Sequence, residues 1–273
     1  MGCPALARAQ GLPAEPRHDS GQGVTGAFEG WFKNQDGSFN LLFGYYNRNQ
    51  REDLEIPVGP NNRIEPGGPD QGQPTHFLTG RQWGLFTVTV PADFGTNKLT
   101  WTLISNGQTL SVPASLNPLW EINAFREPTT RNTPPVIKFA GGSSMQGPRP
   151  MATGLSASAG KPLTLSLSVS DDAVMPLIGS TGMDQPKTPP VTVTWSKFRG
   201  PGVVTFTDAK PAVELAKAGA GGGGVSGTAS TSATFSEPGE YVLLVVANDW
   251  SGVGGHGYQC CWTNAQVKVT VKP

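Results

Sequence analysis

The chain is short of charge, cysteine and long apolar runs, and each shortage excludes a class of protein. Charged residues make up 15% of the 273 residues and their charges balance to zero, so we expect no nucleic-acid partner. Three cysteines are too few for a disulfide-stapled scaffold. No apolar stretch is long enough to cross a bilayer as a helix, so we expect no transmembrane segment.

Catalytic motifs and helical periodicity are also scarce. The chain has three histidines, and one of them, His76, has no partner motif and is expected to be structural. A nucleophile elbow, a His-Glu-x-x-His zinc motif, a phosphate loop and a dinucleotide fingerprint are all missing from the sequence. We therefore predict a protein that is not an enzyme and takes no cofactor, apart from the calcium ion considered below.

Glycine, proline and short β-prone runs are what the chain has instead. Its 36 glycines and 25 prolines separate short runs rich in Val, Thr, Leu, Phe and Trp, a pattern typical of β-sandwiches and barrels. We predict an all-β fold of two tandem β-sandwich domains, immunoglobulin-like in class. The predicted organisation is a disordered tail over residues 1–23, a first sandwich over 24–125, a proline-rich linker over 126–135 and a second sandwich over 136–273.

The first predicted sandwich rests on alternating runs and hairpin turns. The pairs Asp36-Gly37 and Asn106-Gly107 suit the positive φ angles of tight hairpins. The run 120–125 is predicted as its last strand. The prolines of the linker favour an extended chain, so we expect the linker to space the two sandwiches semi-rigidly.

The strongest strand prediction lies at residues 240–247. Apolar side chains occupy one face at Tyr241, Leu243, Val245 and Ala247, and the other face at Val242, Leu244 and Val246. A strand that is apolar on both faces is covered on both. Tyr241 also follows the turn glycine Gly239 by two residues, which is the tyrosine-corner pattern of immunoglobulin-like sandwiches.

Three motifs around this strand occur in a familiar order. They are Val-Thr-Trp-Ser-Lys-Phe-Arg-Gly-Pro-Gly-Val-Val-Thr-Phe from Val193, Ala-Thr-Phe-Ser-Glu-Pro-Gly-Glu-Tyr-Val-Leu from Ala233, and Ala-Asn-Asp from Ala247. Together they resemble the PKD-like domains of large bacterial and animal surface proteins over about residues 155–271. The resemblance implies an extracellular sandwich that serves in adhesion, in spacing, or in binding of carbohydrate or protein. The first half carries no such motifs.

Acidic residues gather at one pole of the second predicted sandwich. The strands that end at Ser170 and Asn248 are expected to run in the same direction, which brings Asp171, Asp172 and Asp249 close together, with Asp184 on the following loop. Calcium prefers six to eight oxygen ligands, so one hypothesis is a calcium site. The alternative, which we favour, is that these aspartates cap turns by accepting hydrogen bonds from backbone N–H groups.

The loop at the same pole is the second candidate site. Trp250, His256, Tyr258 and Trp262 would form a binding face for a protein or glycan partner, or the tryptophans would anchor the loop in the core. The adjacent Cys260 and Cys261 are expected to form a vicinal disulfide or to stay free, in preference to binding a metal, because the ligand spacing of zinc sites is missing.

The N-terminal tail suggests export. Ala5-Leu6-Ala7 and Ala7-Arg8-Ala9 both fit a small-x-small cleavage site, and we interpret the tail as the remnant of a truncated signal peptide. We therefore predict a secreted or cell-surface protein that acts as a non-catalytic binding, adhesion or structural module. One alternative is a spacer or assembly subunit of a surface complex, which a long contact between the halves would favour. Another is a secreted enzyme accessory or hydrolase with its site in the first half.

Overall fold

The computed structural model describes residues 18–128, 130–149, 152–174, 189–216, 224–254 and 260–273. Strands dominate these residues, and the one helical element among them is a short 3-10 turn at Pro118–Trp120. Within the same residues no helix is long and apolar enough to span a membrane. The predicted all-β class is confirmed, and the sheets pair into β-sandwich-like layers.

The first half contains two three-stranded sheets and a short strand pair. The first sheet has the order β1 (Val24–Lys33), β2 (Phe39–Asn47), β6 (Gly80–Val90). The second has the order β4 (Asn62–Glu65), β7 (Lys98–Ser105), β8 (Gln108–Ser115), and the short pair is β3 (Leu54–Glu55) with β5 (His76–Phe77). Aromatic rings fill the space between the sheets, where Trp101 meets Phe86 edge to face at 5.1 Å.

The second half contains one six-stranded and one four-stranded sheet. The larger sheet has the order β10 (Met145–Gln146), β9 (Val136–Phe139), β12 (Leu163–Asp171), β16 (Val225–Phe235), β14 (Val204–Phe206), with β15 (Glu214–Leu215) also paired to β16. The smaller sheet has the order β11 (Ala152–Ser158), β18 (Trp262–Lys272), β17 (Gly239–Asn248), β13 (Thr192–Arg199). Strand β11 pairs with β18 in parallel, and β17 is antiparallel to both of its neighbours.

The predicted tyrosine corner forms at the start of β17. The hydroxyl of Tyr241 donates a hydrogen bond to the carbonyl of Glu237 at 2.9 Å and accepts one from the backbone N–H of Gly202 at 3.0 Å. The tyrosine thereby ties the turn before β17 to the connection that follows β13.

Strand β17 is buried on both faces, as its two-sided apolar sequence predicts. Its odd-numbered side chains, Tyr241 to Ala247, lie in the core between the two sheets of the second half. Leu244 on the opposite face, together with Phe198 from β13, belongs to the core of the first half. The outer face of the four-stranded sheet is therefore the surface on which the first half docks, and the first half's core continues onto that face.

The linker differs from the extended spacer that its prolines suggest. The backbone N–H of Arg131 donates to the carbonyl of Glu127 at 2.9 Å, and the N–H of Glu127 donates to the carbonyl of Asn132 at 2.8 Å, which closes a compact loop. Asn132 is only 1% exposed and its side chain is hydrogen-bonded to Asp249. Polar anchoring at Asn132 outweighs the stiffness of the prolines, so the linker holds the halves together.

The predicted strand at residues 120–125 is also replaced by a different structure. The side chain of Asn117 accepts a hydrogen bond from the backbone N–H of Leu119 at 3.0 Å, and Pro118 follows it with a preset φ angle, so a 3-10 turn forms. A single bridge between Trp31 and Glu121 is what is left of strand pairing there.

Candidate functional site

The rim of the interface between the halves is polar and well paired. Arg199 forms two parallel hydrogen bonds with the carboxylate of Asp70, each 2.8 Å long, and its Nε donates to the carbonyl of Gln73 at 2.7 Å. The N–H of Thr75 donates to the carbonyl of Phe198 at 3.1 Å. A forked arginine–carboxylate pair fixes orientation as well as distance, so this rim sets how the halves align.

The centre of the interface is a close approach at Gly84. Its carbonyl accepts hydrogen bonds from Nδ2 of Asn264 at 2.6 Å and from Nε1 of Trp262 at 3.3 Å. Gly84 has a φ of +47°, and a Cβ at this position would overlap the ring of Trp262. Glycine is required here both for its backbone conformation and for the space it leaves.

A groove runs along the interface. Two cavities of about 450 Å³ and 730 Å³ adjoin each other, because they share lining residues that include Asp53, His76, Thr194, Ser196 and Lys197. These residues come from both halves: Asp53 precedes β3 and His76 begins β5, whereas the other three lie on β13. We call this feature the interface groove.

The residues that line only one of the two cavities, which we call the ends of the groove, are more apolar than the shared residues of its centre. The smaller cavity ends against Trp83, Trp262 and Val253, which is 71% exposed. The larger cavity ends against Val203, Val204 and Phe206. The groove therefore joins two apolar ends through a polar middle.

The middle of the groove carries charges of both signs that neutralise each other. Oε1 of Glu55 lies 2.8 Å from Nδ1 of His76 and 2.6 Å from Nζ of Lys197. Burial alone would raise the pKa of Glu55, but the hydrogen bonds from His76 and Lys197 outweigh it and hold that pKa below its ordinary value. His76, for which the sequence offered no partner, thus has one in Glu55, and Asp53 lies 3.9 Å from its Nε2.

A buried ion pair supports the end of the groove near Trp83. Glu29 sits at a bulge in β1, is 4% exposed, and accepts hydrogen bonds from Arg81 at 2.7 Å and from the N–H of Gly84 at 2.9 Å. Burial raises the pKa of Glu29, and the guanidinium of Arg81 only partly opposes that effect. The guanidinium also lies over the ring of Trp83, 3.9 Å from its centre, so that face of the indole is already occupied.

The acidic pole has the turn-capping geometry that we favoured. Asp171, Asp172 and Asp249 each accept a hydrogen bond from the backbone N–H two residues further on, at 2.8, 3.1 and 2.8 Å. The linker docks on the same carboxylates, since Thr133 donates to Asp172 at 2.7 Å and Asn132 donates to Asp249 at 2.6 Å. The predicted clustering of the three aspartates therefore has a structural use in holding the linker.

Burial perturbs the aspartates at this pole. Burial raises the pKa of Asp171 to about 7, and the nearby charges of Asp249 and Asp172 add to the shift. Burial also raises the pKa of Asp249, although hydrogen bonds from Ser251 and Asn132 oppose it. Across the described parts of the chain, no group of three or more His, Cys, Asp or Glu residues is arranged to hold a metal ion.

The predicted binding loop is only partly described. Trp262 is 2% exposed and contacts Gly84, which matches the anchoring interpretation, and Trp250 is half-buried. His256 and Tyr258 lie outside the described residues, as does Asp184. The described part of the loop that reaches the interface groove includes Val253, which no sequence pattern singled out.

Cys260 and Cys261 are joined in a vicinal disulfide. Both are 1% exposed, and the Sγ atom of Cys261 lies 3.4 Å from the carbonyl oxygen of Asn132. The disulfide is therefore buried beneath the linker.

The charged residues of the interface groove escaped the sequence analysis. Glu55 and Lys197 are separated by 142 positions, so no local spacing or motif connects them. The signal that did exist is the apolar outer face of β17, which indicates that something covers it but not which residues come with the cover.

Comparisons with known proteins add little. No protein-family model matches the chain, and no curated protein matches it. Among solved structures, a protein of unknown function from Porphyromonas gingivalis is 10% identical and aligns over 91% of this chain and 100% of its own, with a TM-score of 0.21. A TM-score this low supports no conclusion about fold or function.

Proposed function

We propose that this protein is an exported, non-catalytic binding module with a PKD-like second half, and that it holds an extended polypeptide segment of a partner in the interface groove. The observation that carries the proposal is the pair of adjoining cavities, about 450 Å³ and 730 Å³, that share their central lining residues between the two halves. Ligand sites occur preferentially in such clefts between domains.

The lining chemistry favours a polypeptide. Apolar side chains at both ends, such as Val253 and Phe206, suit apolar side chains of a bound segment. The hydroxyls of Thr194 and Ser196 in the middle suit backbone amide groups, which donate and accept hydrogen bonds. A glycan would need a free aromatic face to stack on, whereas Arg81 covers one face of Trp83.

Peptide selection tests this proposal. Peptides selected from a random display library on the wild-type protein are expected to lose binding to Ser196→Trp, which fills the middle of the groove. The matched control is Ser166→Trp, at an exposed position on the six-stranded sheet, and it should bind the same peptides as the wild type. The proposal would be contradicted if the enriched peptides bound both variants equally. It would also be contradicted if glycans on a parallel array, and no peptides, bound in a way that Ser196→Trp abolishes.

The proposed export rests on the small-x-small sites of the tail and on the resemblance to surface proteins. Expressed in its own host, the protein should be accessible to protease added outside intact cells. Protection of the whole chain in intact cells, with digestion after lysis, would contradict this.

The assembly alternative is supported by one observation, the long contact between the halves. A spacer, by contrast, gains reach by separating its domains, and the compact linker opposes that role. Light scattering of the purified chain tests assembly with itself: a single monomeric mass would leave the binding role preferred, and a defined oligomer would favour assembly.

A further inference from the structure

We propose that the acidic pole of the second half binds one calcium ion through the carboxylates of Asp171 and Asp249 and the amide oxygen of Asn132. The proposal is independent of the binding role of the interface groove. It concerns the end of the second half where the linker meets β12 of the six-stranded sheet and β17 of the four-stranded sheet.

These two carboxylates are buried without a cationic partner. Asp171 is 7% exposed and Asp249 is 3% exposed, yet no ion pair found in the described residues includes either of them. Their hydrogen-bond donors are neutral: an amide, a hydroxyl and backbone N–H groups. A buried carboxylate that lacks a compensating cation is costly, so a positive charge from solution would be bound favourably.

Asn132 points to a cation independently of the acids. Its amide nitrogen donates to Oδ2 of Asp249 at 2.6 Å, which holds the amide group against that carboxylate. The amide oxygen, Oδ1, is buried and has no hydrogen-bond partner, in a side chain that is 1% exposed. A buried amide oxygen without a donor costs free energy, and a metal ion is one way of satisfying it.

Asp171 repeats this pattern. Its Oδ1 accepts the N–H of Ala173 at 2.8 Å, whereas its Oδ2 is buried without a partner. Two of the three unsatisfied buried atoms at the pole are thus oxygen acceptors, and the third, Nε1 of Trp250, is a donor. One divalent cation would compensate both carboxylates and would coordinate both free oxygens.

The ligand set selects the metal. Carboxylate and amide oxygens are hard ligands that suit calcium, which accepts six to eight oxygens in irregular geometry and completes its shell with backbone carbonyls and water. Magnesium demands a near-octahedral arrangement and keeps its water, and zinc prefers nitrogen and sulfur. Two carboxylates and one amide also agree with the lack of a three-acid cluster in the described residues.

Because Asn132 belongs to the linker, the ion would tie the linker to the second sandwich. Calcium titrated into EDTA-treated, full-length protein should bind at one site by calorimetry and raise the melting temperature by several degrees. Asn132→Ala and Asp171→Asn should each weaken the affinity about tenfold or more. Asp36→Asn, an exposed acid in a hairpin of the first half, should leave it unchanged.

Three outcomes would overturn the proposal. One is no heat and no change in melting temperature up to about 10 mM calcium, above the range of weak extracellular sites. Another is calcium binding that survives both pole substitutions, which would place the ion elsewhere. The third is an equal response to magnesium. Since Asp171→Asn removes a buried charge and should fold, loss of calcium binding in that variant reports on the site itself.

Discussion

The interface between the halves and the acidic pole treat their carboxylates in opposite ways. At the interface two acids face a cation from the other half: Asp70 pairs with Arg199, and Glu55 pairs with Lys197. At the pole, Asp171 and Asp249 face only amide, hydroxyl and backbone donors. The second half thus has one face where the chain supplies its own positive charge and one pole where it does not.

The pKa shifts of these two interface acids and of the two pole acids have opposite signs. The hydrogen bond from Arg199 lowers the pKa of Asp70, and the pKa of Glu55 is lowered as well. Burial raises the pKa values of Asp171 and Asp249. The comparison teaches that the half-exposed carboxylates of the interface keep their charge through pairing, whereas the buried carboxylates of the pole require a proton or a cation from solution.

The largest expected effect is a loss of stability at the pole as the pH rises. Asp171 has a pKa of about 7 in the folded protein against 3.8 ordinarily, so the folded state keeps a proton that the unfolded chain releases. This stabilisation is complete below about pH 4 and is lost as the pH rises to about 7, and a shift of about three units corresponds to about 4 kcal/mol. Urea unfolding in calcium-free buffer measures it.

Asp171→Asn should flatten this pH dependence, while Asp36→Asn in the first half should keep it. If the free energy of unfolding depended on pH equally in Asp171→Asn and in the wild type, the proposed difference between the pole and the interface would be contradicted. The interface acids contribute with the opposite sign, because their stabilisation is present above about pH 4.5 and is lost on acidification.

The next largest loss of stability is expected when the close approach at Gly84 is disrupted. Gly84→Ala should cost about 3 kcal/mol, because it combines a left-handed backbone with overpacking against Trp262. The matched control is Gly80→Ala in the same strand, where φ is +76° and no atom lies within 4 Å, so only the backbone cost of about 1 kcal/mol applies. Equal losses in the two variants, measured by denaturant unfolding, would show that Trp262 does not press on this glycine.

A smaller loss of stability is expected when a buried acid of the first half can no longer pair with its cation. Glu29→Gln should cost about 2 kcal/mol, because Arg81 loses its partner but is partly exposed and can take up water. Glu65→Gln removes the surface pair with Arg63, 2.8 Å apart, and should cost less than about 1 kcal/mol. Equal losses of stability in the two variants, measured by denaturant unfolding, would show that burial does not determine how much an ion pair contributes.

The sequence was a good guide to β17 and a poor guide to what covers it. Its alternating apolar faces predicted burial on both sides, and the Gly239–Tyr241 spacing predicted the hydrogen bonds of the tyrosine corner. Which residues cover the outer face depends on docking between segments more than 100 positions apart, such as Asn264 with Gly84. No local pattern encodes such a pairing.

The linker and the pole show the same limit of sequence-based prediction, which does not capture contacts between distant segments. Proline content predicted an extended linker, because that inference considers only backbone stiffness. The decisive contact is the hydrogen bond from Asn132 to Asp249, across 117 positions, which folds the linker onto the pole. The aspartate cluster itself was predictable, since the parallel direction of two strands brings their ends together, but the orphaned oxygen of Asn132 was not.

A carbon-13 NMR titration of the side-chain carboxyl groups in calcium-free protein tests the contrast most directly. The account predicts a pKa near 7 for Asp171, above its ordinary 3.8, and a pKa for Glu55 below its ordinary 4.5, in one sample. A pKa for Asp171 at or below 3.8 would contradict the account, because the pole would then hold its charge without help from solution.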